Sequence, residues 1–368
     1  MTAGRADLVV VGAGVIGCMV ALLYRRAHSG AEIIVVDRGA AAGGASGASL
    51  CAAIPAAPTA TLRALVRRSD ALFAAIPVLA RHLRHYAALY CVSPQRVADF
   101  RGQLAVADFV PAAPAQWSAA EAVYGPLARD AGRVVLDGRR HAYTFDVTAF
   151  VHAALRAPEP IARLVEGRAV AAVRRDGDRW SVETGDGVLA RARAVALCTG
   201  PWTAPPVTGP DRHWAPPPPS LRRIVSLRVA LPGPAADAGS AGSVIWVDES
   251  VSLIPAAGGA ACYVNFTRGD WPPAAAGVHR AAAGRPVAPA EFTDDDRAAG
   301  LAAIARLWPG RPASGVGGLA GHDSYTPDRH PRIDRPAPGV VSVTGTSGAG
   351  VRLAPALAED AVRDLTAA

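Results

Sequence analysis

Gly12, Gly14 and Gly17 follow the apolar run 8–11 at the spacing Gly-x-Gly-x-x-Gly, and an acid, Asp37, closes the next apolar run, 33–36. Residues of these types at these intervals can hold a dinucleotide. Gly12 permits a tight turn off a strand, and Gly14 lets the backbone approach a pyrophosphate. Gly17 allows a helix to pack closely on the sheet. That helix, opened by Val15 and Ile16, points its positive N-terminal end at the phosphates. Asp37 can accept hydrogen bonds from ribose hydroxyls, and its charge opposes a 2′-phosphate. The set works only if a buried parallel strand, a turn, a helix and a second strand come in that order. Residues 7–50 supply the order and end in the small-residue loop 43–49, Gly-Gly-Ala-Ser-Gly-Ala-Ser. Such a loop can lie against a flat ligand because little side-chain bulk stands in the way.

With 368 residues the chain is long enough for two or three domains and a large core. The apolar share of 51% and charged share of 19% fit a soluble globular enzyme. There is no lysine, so every basic side chain is arginine or histidine and no Schiff-base nucleophile is available. The net charge of +7 comes from arginines scattered along the chain, often beside Asp or Glu, with no recognition motif. Nucleic-acid binding is not expected. The five cysteines are dispersed without a Cys-x-x-Cys pair, which argues against structural zinc, any other metal centre and a disulfide framework. No apolar run is long enough to span a membrane. The first strand begins within a few residues of Met1, leaving no room for a signal peptide, so a cytoplasmic location is expected.

Residues 59–90 read as helical, with apolar positions from Leu62 to Leu83, and Pro77 is expected to kink or divide them. Their arginines and histidines, Arg68 and His82 included, are predicted to line a solvated face. Strand-like runs at 103–106 and 133–136 precede a helix at 145–155, capped near Asp146 or Thr148. Further runs follow at 168–174, 180–184 and 194–197, the first two joined by a hairpin at 176–178. The proline-rich stretch 215–220 reads as a stiff connector between domains. Strands are predicted at 223–231, 244–247, 251–254 and 261–267, with an irregular excursion at 270–290. A helix fits 294–307, capped by Thr293 with Asp294, Asp295 and Asp296 in its first turn. The chain closes with a strand at 339–344, a second glycine turn at 345–350, and a helix from about Pro355.

Three separated blocks carry a resemblance that spans the chain. The first is Val-Val-Gly-Ala-Gly-Val-Ile-Gly (10–17) with Asp37 and the loop Ala-Ser-Gly-Ala-Ser (45–49). The second is Ala-Leu-Cys-Thr-Gly-Pro-Trp (196–202). The third is Tyr-Thr-Pro-Asp-Arg-His-Pro-Arg-Ile-Asp (325–334) followed by Gly-Thr-Ser-Gly-Ala-Gly-Val-Arg-Leu-Ala-Pro (345–355). Together they resemble the D-amino-acid oxidase superfamily of flavoproteins, which contains glycine oxidase and monomeric sarcosine oxidase. The third block is the most specific, because a distant second glycine turn is not needed to bind NAD.

The resemblance implies an α/β fold with a discontinuous Rossmann-like FAD-binding domain (1–90, 146–215 and 316–368). A second α+β substrate domain (91–145 and 216–315) is built on an antiparallel sheet. Cofactor contacts are carried onto Gly12, Gly14, Val15, Ile16, Gly17, Asp37, Arg38, Ala45, Ser46 and Ser49. Val170, Thr199, Gly200 and Trp202 join them, with Gly345, Ser347, Gly348, Ala349, Gly350 and Val351 facing the flavin ring. There the helix N-terminus can stabilise negative charge on the reduced flavin. FAD is expected to be noncovalent, since members with a cysteinyl flavin carry the thiol where this chain has Gly321, His322, Asp323 and Ser324. Cys51 is read chiefly as a packing residue.

The implied chemistry is oxidation of a C–N bond in an amine or amino-acid-derived substrate to an imine, by hydride transfer to flavin N5. Oxygen or another acceptor then reoxidises the flavin. Arg352 stands where sarcosine-oxidase-like members bind substrate carboxylate; it is equally readable as a surface arginine at a helix start. Asp323 falls where glycine-oxidase-like members have a carboxylate-binding arginine, and its negative charge would instead attract an ammonium or a hydroxyl. Tyr263 or Asn265 occupies the place of the family's oxygen-activating lysine, which leaves a dehydrogenase open. Tyr143, Trp246, Tyr263 and Tyr325 are candidate cavity walls, and His141, His322 and His330 candidate acids or bases. Two alternatives stand beside this reading: oxidation of a C–OH bond, as in 2-hydroxy-acid dehydrogenases, and FAD binding without turnover.

Overall fold

The first strand, Gly4–Val11, is apolar from Leu8 onward because it is covered on both faces. Leu8 and Val10 enter a core with the helices Val15–Ala27 and Gly350–Thr366. Val9 and Val11 enter a second core with Trp180, Val182 and Leu197. A strand wet on one face would alternate apolar with polar residues; this one has no wet face. The computed structural model describes residues 4–128, 132–217, 220–231, 242–256, 260–266, 291–311 and 316–367.

Five strands run parallel through this layer. Ile33–Val36 and Gly187–Leu197 flank the first strand, Arg163–Val165 lies outside Ile33–Val36, and Val340–Thr344 lies outside Gly187–Leu197. The register pairs Val11 with both Val36 and Leu197, Val36 with Val165, and Leu197 with Ser342. All five strands therefore end at one edge of the sheet. This layer is discontinuous in sequence, since strands from both ends and the middle of the chain complete it. An antiparallel hairpin, Val170–Asp176 with Arg179–Thr184, extends it.

A second sheet of eight strands stands beside the first. Its order is Val316–Tyr325, Ser220–Ala230, Ala261–Asn265, Val251–Pro255, Ser243–Trp246, Ala88–Val92, Val134–Asp137 and Val110–Pro111. Every neighbouring pair is antiparallel except Ser243–Trp246 with Ala88–Val92. One face packs on the helices Pro114–Tyr124 and Asp294–Ile304 through Leu227, Trp246, Leu253, Val264 and Trp308. The opposite face presents Tyr90, Ile245 and Ile254, and Tyr263, in register with Ile254, shares it. The α/β fold with a Rossmann-like layer and a largely antiparallel second sheet is the one the sequence predicts.

Several elements differ from expectation. The helical segment at 59–90 is a helix only over Ala60–Ala75 and Pro77–Ala80, with Pro77 opening the second piece. Leu83–Tyr86 and Ala88–Val92 are strands. The reason is a period of two: Tyr86, Ala88, Tyr90 and Val92 enter one core while Leu89 and Cys91 enter the other. Leu83–Tyr86 joins Ala142–Phe145 and Ala52–Ala53 in a small third sheet. The run 103–106 is not a strand and follows the short helix Val97–Gly102. Strand Val316–Tyr325, grouped by sequence with the cofactor domain, is hydrogen-bonded into the second sheet along Ser220–Ala230. The segment 270–290 lies outside the described residues.

The last helix starts at Gly350 rather than near Pro355, which sits inside it. Its neighbour helix holds the backbone just after the proline. Ser69 Oγ accepts from the Ala356 N–H at 3.2 Å, and Arg68 donates to the Ala356 carbonyl and pairs with Glu359 and Asp360. Arg68 is thus a tie between two helices, not part of a merely solvated face.

Asp296 fixes the helix Asp294–Ile304 to the second sheet. Fully buried, it closes a capping box with Thr293 and accepts from both terminal nitrogens of Arg223 at 2.5 Å. The Arg223 guanidinium, aided by the Thr293 N–H and hydroxyl, holds its carboxyl well below the usual range. With the folded pKa below the unfolded value of about 4, the stabilisation is complete above that value and is lost as pH falls below it. Asp296→Ala is expected to lower the unfolding free energy by about 2–3 kcal/mol. Denaturant melts at pH 7 and pH 3 check both, since the difference between variant and parent should shrink at the lower pH.

Candidate active site

The loops leaving the common edge of the parallel layer come together. Gly12, at φ +109°, turns so closely that a Cβ there would run into the Cys198 carbonyl. A Cβ at Gly17 would run into the Gly12 carbonyl, so the helix Val15–Ala27 lies against the strand end only because both residues are glycine. Gly14 precedes that helix without a side-chain cap of its own. Ser46 Oγ, from the small-residue loop, accepts from the Val15 N–H at 3.0 Å. Asp37 accepts from the Ala13 N–H with one oxygen and the Gly39 N–H with the other, both at 2.8 Å. Its carboxylate is thereby fixed beside the first turn.

The second block joins the first through stacked side chains. The Arg38 guanidinium lies 4.0 Å above the Trp202 ring, and burial lowers its pKa. Thr199 Oγ1 donates to the Trp202 carbonyl at 2.9 Å, and Gly200 takes φ +63°. The segment before Val170 is clipped to the same edge. Arg168 N–H donates to the Asp37 carbonyl, and Glu166 accepts from the Ala41 N–H. Ser49 is spent locally, since its hydroxyl accepts from the Cys51 N–H at 3.1 Å. Cys51 is buried and its thiol pKa is pushed up to about 11 by burial, as suits packing.

The second glycine turn closes the arrangement. Gly345, Ser347 and Gly348 have φ of +71°, +52° and +78°. Ser324 anchors the turn, its hydroxyl accepting from the Gly345 N–H at 3.3 Å and its carbonyl from the Ser347 N–H at 2.9 Å. No side chain caps the helix Gly350–Thr366 that follows Ala349, so its first N–H groups face outward with the positive end of the dipole. Gly321, on the strand Val316–Tyr325, lies against Ala48 of the small-residue loop. A Cβ at Gly348 would stand 3.2 Å from Asp323 Oδ2 and 3.5 Å from the Tyr325 hydroxyl. Both glycine turns, the 45–49 loop and the edge of the second sheet thus border one region. Two helix N-termini, small residues and an acid at the ribose position fit an extended anionic cofactor with a flat ring.

The predicted catalytic residues are not gathered at one point. Arg352 Nη1 donates to the Ile54 and Ala56 carbonyls at 2.8 and 2.5 Å, and its Nε is buried without a partner among the described residues. It is half-buried and holds the start of the last helix to the 54–56 segment, so it is not a surface arginine. Burial lowers its pKa, opposed by Tyr143 and Asp70. Sequence reasoning passed over Asp70. It accepts from the Tyr143 hydroxyl at 3.0 Å, and burial raises its pKa. No motif marks it, because its role arises only where a helix meets the small sheet. Tyr263 shares the sheet face of Asp323, but Tyr263 pairs with Arg228 and Asp323 with Arg222. Six positions of register separate them, roughly 20 Å along the strands.

Trp246 is fully buried on the helix side of the sheet, so it walls no cavity here. Among the histidines, His322 packs edge-on to Trp202 at 6.1 Å, whereas His141 pairs with Asp108 and His330 lies 3.3 Å from Thr59 Oγ1.

Comparison with known proteins agrees with this geometry. The profile described as DAO, FAD dependent oxidoreductase, matches residues 7–363. The chain belongs to the DAO family of FAD-dependent oxidoreductases. No curated protein sequence matches it. Among solved structures, a glycine oxidase from Geobacillus kaustophilus superposes with a TM-score of 0.69 at 19% identity, covering 99% of this chain and 95% of that one. An L-amino acid deaminase from Proteus vulgaris, with its specific insertion deleted, gives 0.70 at 18%, covering 99% and 91%. Amadoriase I from Aspergillus fumigatus, described as a fructosyl amine:oxygen oxidoreductase, gives 0.70 at 16%, covering 100% and 88%. At these identities the likeness is one of fold. FAD is the cofactor that DAO membership implies, and the two glycine turns suit its two ends. No helix among the described residues is long and apolar enough to cross a membrane.

Gly12→Ala is expected to weaken FAD binding at least about a hundredfold, since a Cβ must displace the Cys198 carbonyl at a left-handed φ. Titration of apoprotein with FAD, followed by quenching of flavin fluorescence, measures it; affinity within threefold of the parent would contradict the assignment of this turn.

Proposed function

We propose that this DAO-family chain oxidises the C–N bond of an amine or amino-acid-derived substrate to an imine, with FAD held noncovalently. The observation that carries the reading is the meeting of the uncapped helix at Gly350 with the edge of the antiparallel sheet at Asp323 and Tyr325. In a dinucleotide site built from the first turn alone, nothing would close the far end. The glycine oxidase, deaminase and amadoriase whose fold it shares act on amino acids or amines by their descriptions, which supports the choice of bond.

Bound FAD would take up the two electrons and one hydrogen of the substrate carbon. The chain's own residues supply the conditions for that. Gly12, Gly14 and the first turn of the helix Val15–Ala27 take the pyrophosphate, and Asp37 the ribose. The helix N-terminus at Gly350 would supply positive potential to negative charge on the reduced cofactor. The edge of the second sheet at Asp323 and Tyr325 would exclude water and orient the reacting carbon. The cysteines are all buried thiols, in keeping with a cofactor released intact by acid.

Purified protein is expected to be yellow and to release its flavin on acid precipitation. Under anaerobic conditions a panel of amines and amino acids should bleach it, and 2-hydroxy acids should not. Bleaching by hydroxy acids alone would replace the C–N assignment with a C–OH one. Colourless protein that FAD cannot reconstitute would overturn the reading altogether.

A further inference from the structure

The cofactor-facing side of the strand Val316–Tyr325 carries Gly321, Asp323 and Tyr325 at alternate positions. Gly321 meets Ala48, and Gly348 lies beside both Asp323 and Tyr325. Asp323 is therefore held between the two segments that build the cofactor cradle. Its carboxylate makes no hydrogen bond or ion pair among the described residues. Arg222 is opposite it in register, but that guanidinium lies 4.7 Å over the Tyr325 ring instead. Arg329 acts on the Tyr325 hydroxyl, whose pKa burial pushes up to about 12, so the phenol stays neutral beside the acid.

A half-buried carboxylate with no partner loses solvation without recovering it, unless a cation or a strong donor arrives from outside. Burial raises the Asp323 pKa to about 6, which still leaves it mainly ionised at neutral pH. Beside it also lies the positive N-terminus of the helix Gly350–Thr366, whose outward N–H groups suit the cofactor. The carboxylate is left for the substrate.

We propose that Asp323 is the specificity-determining residue of this site and takes a cationic nitrogen, so that the preferred substrate is an alkylammonium with no carboxylate on the reacting carbon, captured as the cation and oxidised as the neutral amine after one N–H proton has passed to solvent. The proposal rests on the amine-oxidising reading above and narrows its substrate class. A carboxylate next to the reacting nitrogen would be driven against Asp323, a like charge in a site shielded from water. The Tyr325 hydroxyl can accept a second hydrogen bond from the same ammonium.

The test is equilibrium binding, read from the shift of the flavin spectrum during anaerobic titration of FAD-loaded protein with butylamine or with butyrate. The parent should bind butylammonium more tightly than butyrate. Asp323→Asn should lose at least about tenfold in butylammonium affinity, the size of one charged hydrogen bond, and gain butyrate affinity. Asp323→Glu should keep butylammonium binding within a few-fold. FAD affinity should be the same in all three. Unchanged butylammonium binding in Asp323→Asn overturns the proposal, as does a parent that prefers butyrate or binds neither probe. A loss of FAD affinity in Asp323→Asn with amine binding intact overturns it too, assigning the carboxylate to the cofactor. Failure of the parent to hold FAD is seen before any probe is added and overturns the reading on which the proposal stands.

Discussion

Everything in this molecule depends on the register of five parallel strands. Val11 is paired with Val36 on one side and Leu197 on the other, and Leu197 with Ser342 beyond. Those pairings place the turn at Gly12, the acid at Asp37, the loop at Thr199 and the turn at Gly345 along one edge. A one-residue slip in any strand would turn its side chains to the wrong core and pull its loop off that edge. The register is strongly specified because both faces are buried, Leu8 and Val10 against helices and Val9 and Val11 against the hairpin layer. Burial on two faces thus fixes the position of residues that have no contact with one another in sequence.

The second sheet turns that edge from a binding groove into a site with a closed side. Gly321 against Ala48, Gly348 against Asp323, and Ser324 anchoring the Gly345 turn are all contacts between the sheet edge and the cradle. Small residues recur at these contacts because backbone must come close to backbone there. Where side chains do intervene they are chosen to stack, as with Arg38 on Trp202 and Trp202 beside His322. Arg352 and Asp70 form a second polar cluster, beside the 54–56 segment. There a half-buried guanidinium satisfies two backbone carbonyls and faces a carboxylate and a phenol.

The cofactor half was legible in the sequence because its constraints are local. A glycine that must avoid the Cys198 carbonyl, an acid at the end of the second strand and a Gly-x-Trp loop each leave a mark within a few residues. The catalytic half was less legible. Arg352 carries the right residue type at the right spacing, yet its guanidinium is directed to Ile54 and Ala56 by a packing geometry that no motif encodes. Tyr263 lies on the strand predicted at 261–267, and only the strand register shows how far along the sheet it stands from Asp323. The run 83–90 reads as helix for a related reason: its apolar residues serve two cores at once, and a mixture of two faces hides the period of two. The last helix starts before Pro355 although a proline inside a helix is costly, and the acceptor that Ser69 gives the Ala356 N–H comes from 287 positions earlier in the chain.

The central claim is that two glycine turns from opposite ends of the chain form a single cradle for one extended cofactor. Hydrogen exchange followed by mass spectrometry on apoprotein, on protein with ADP, and on protein with FAD tests it most directly. With ADP, protection should rise around residues 8–17 and 37 alone. With FAD it should rise there and also at 345–352. Protection confined to the first turn with both ligands would contradict the claim and leave the second turn a structural loop.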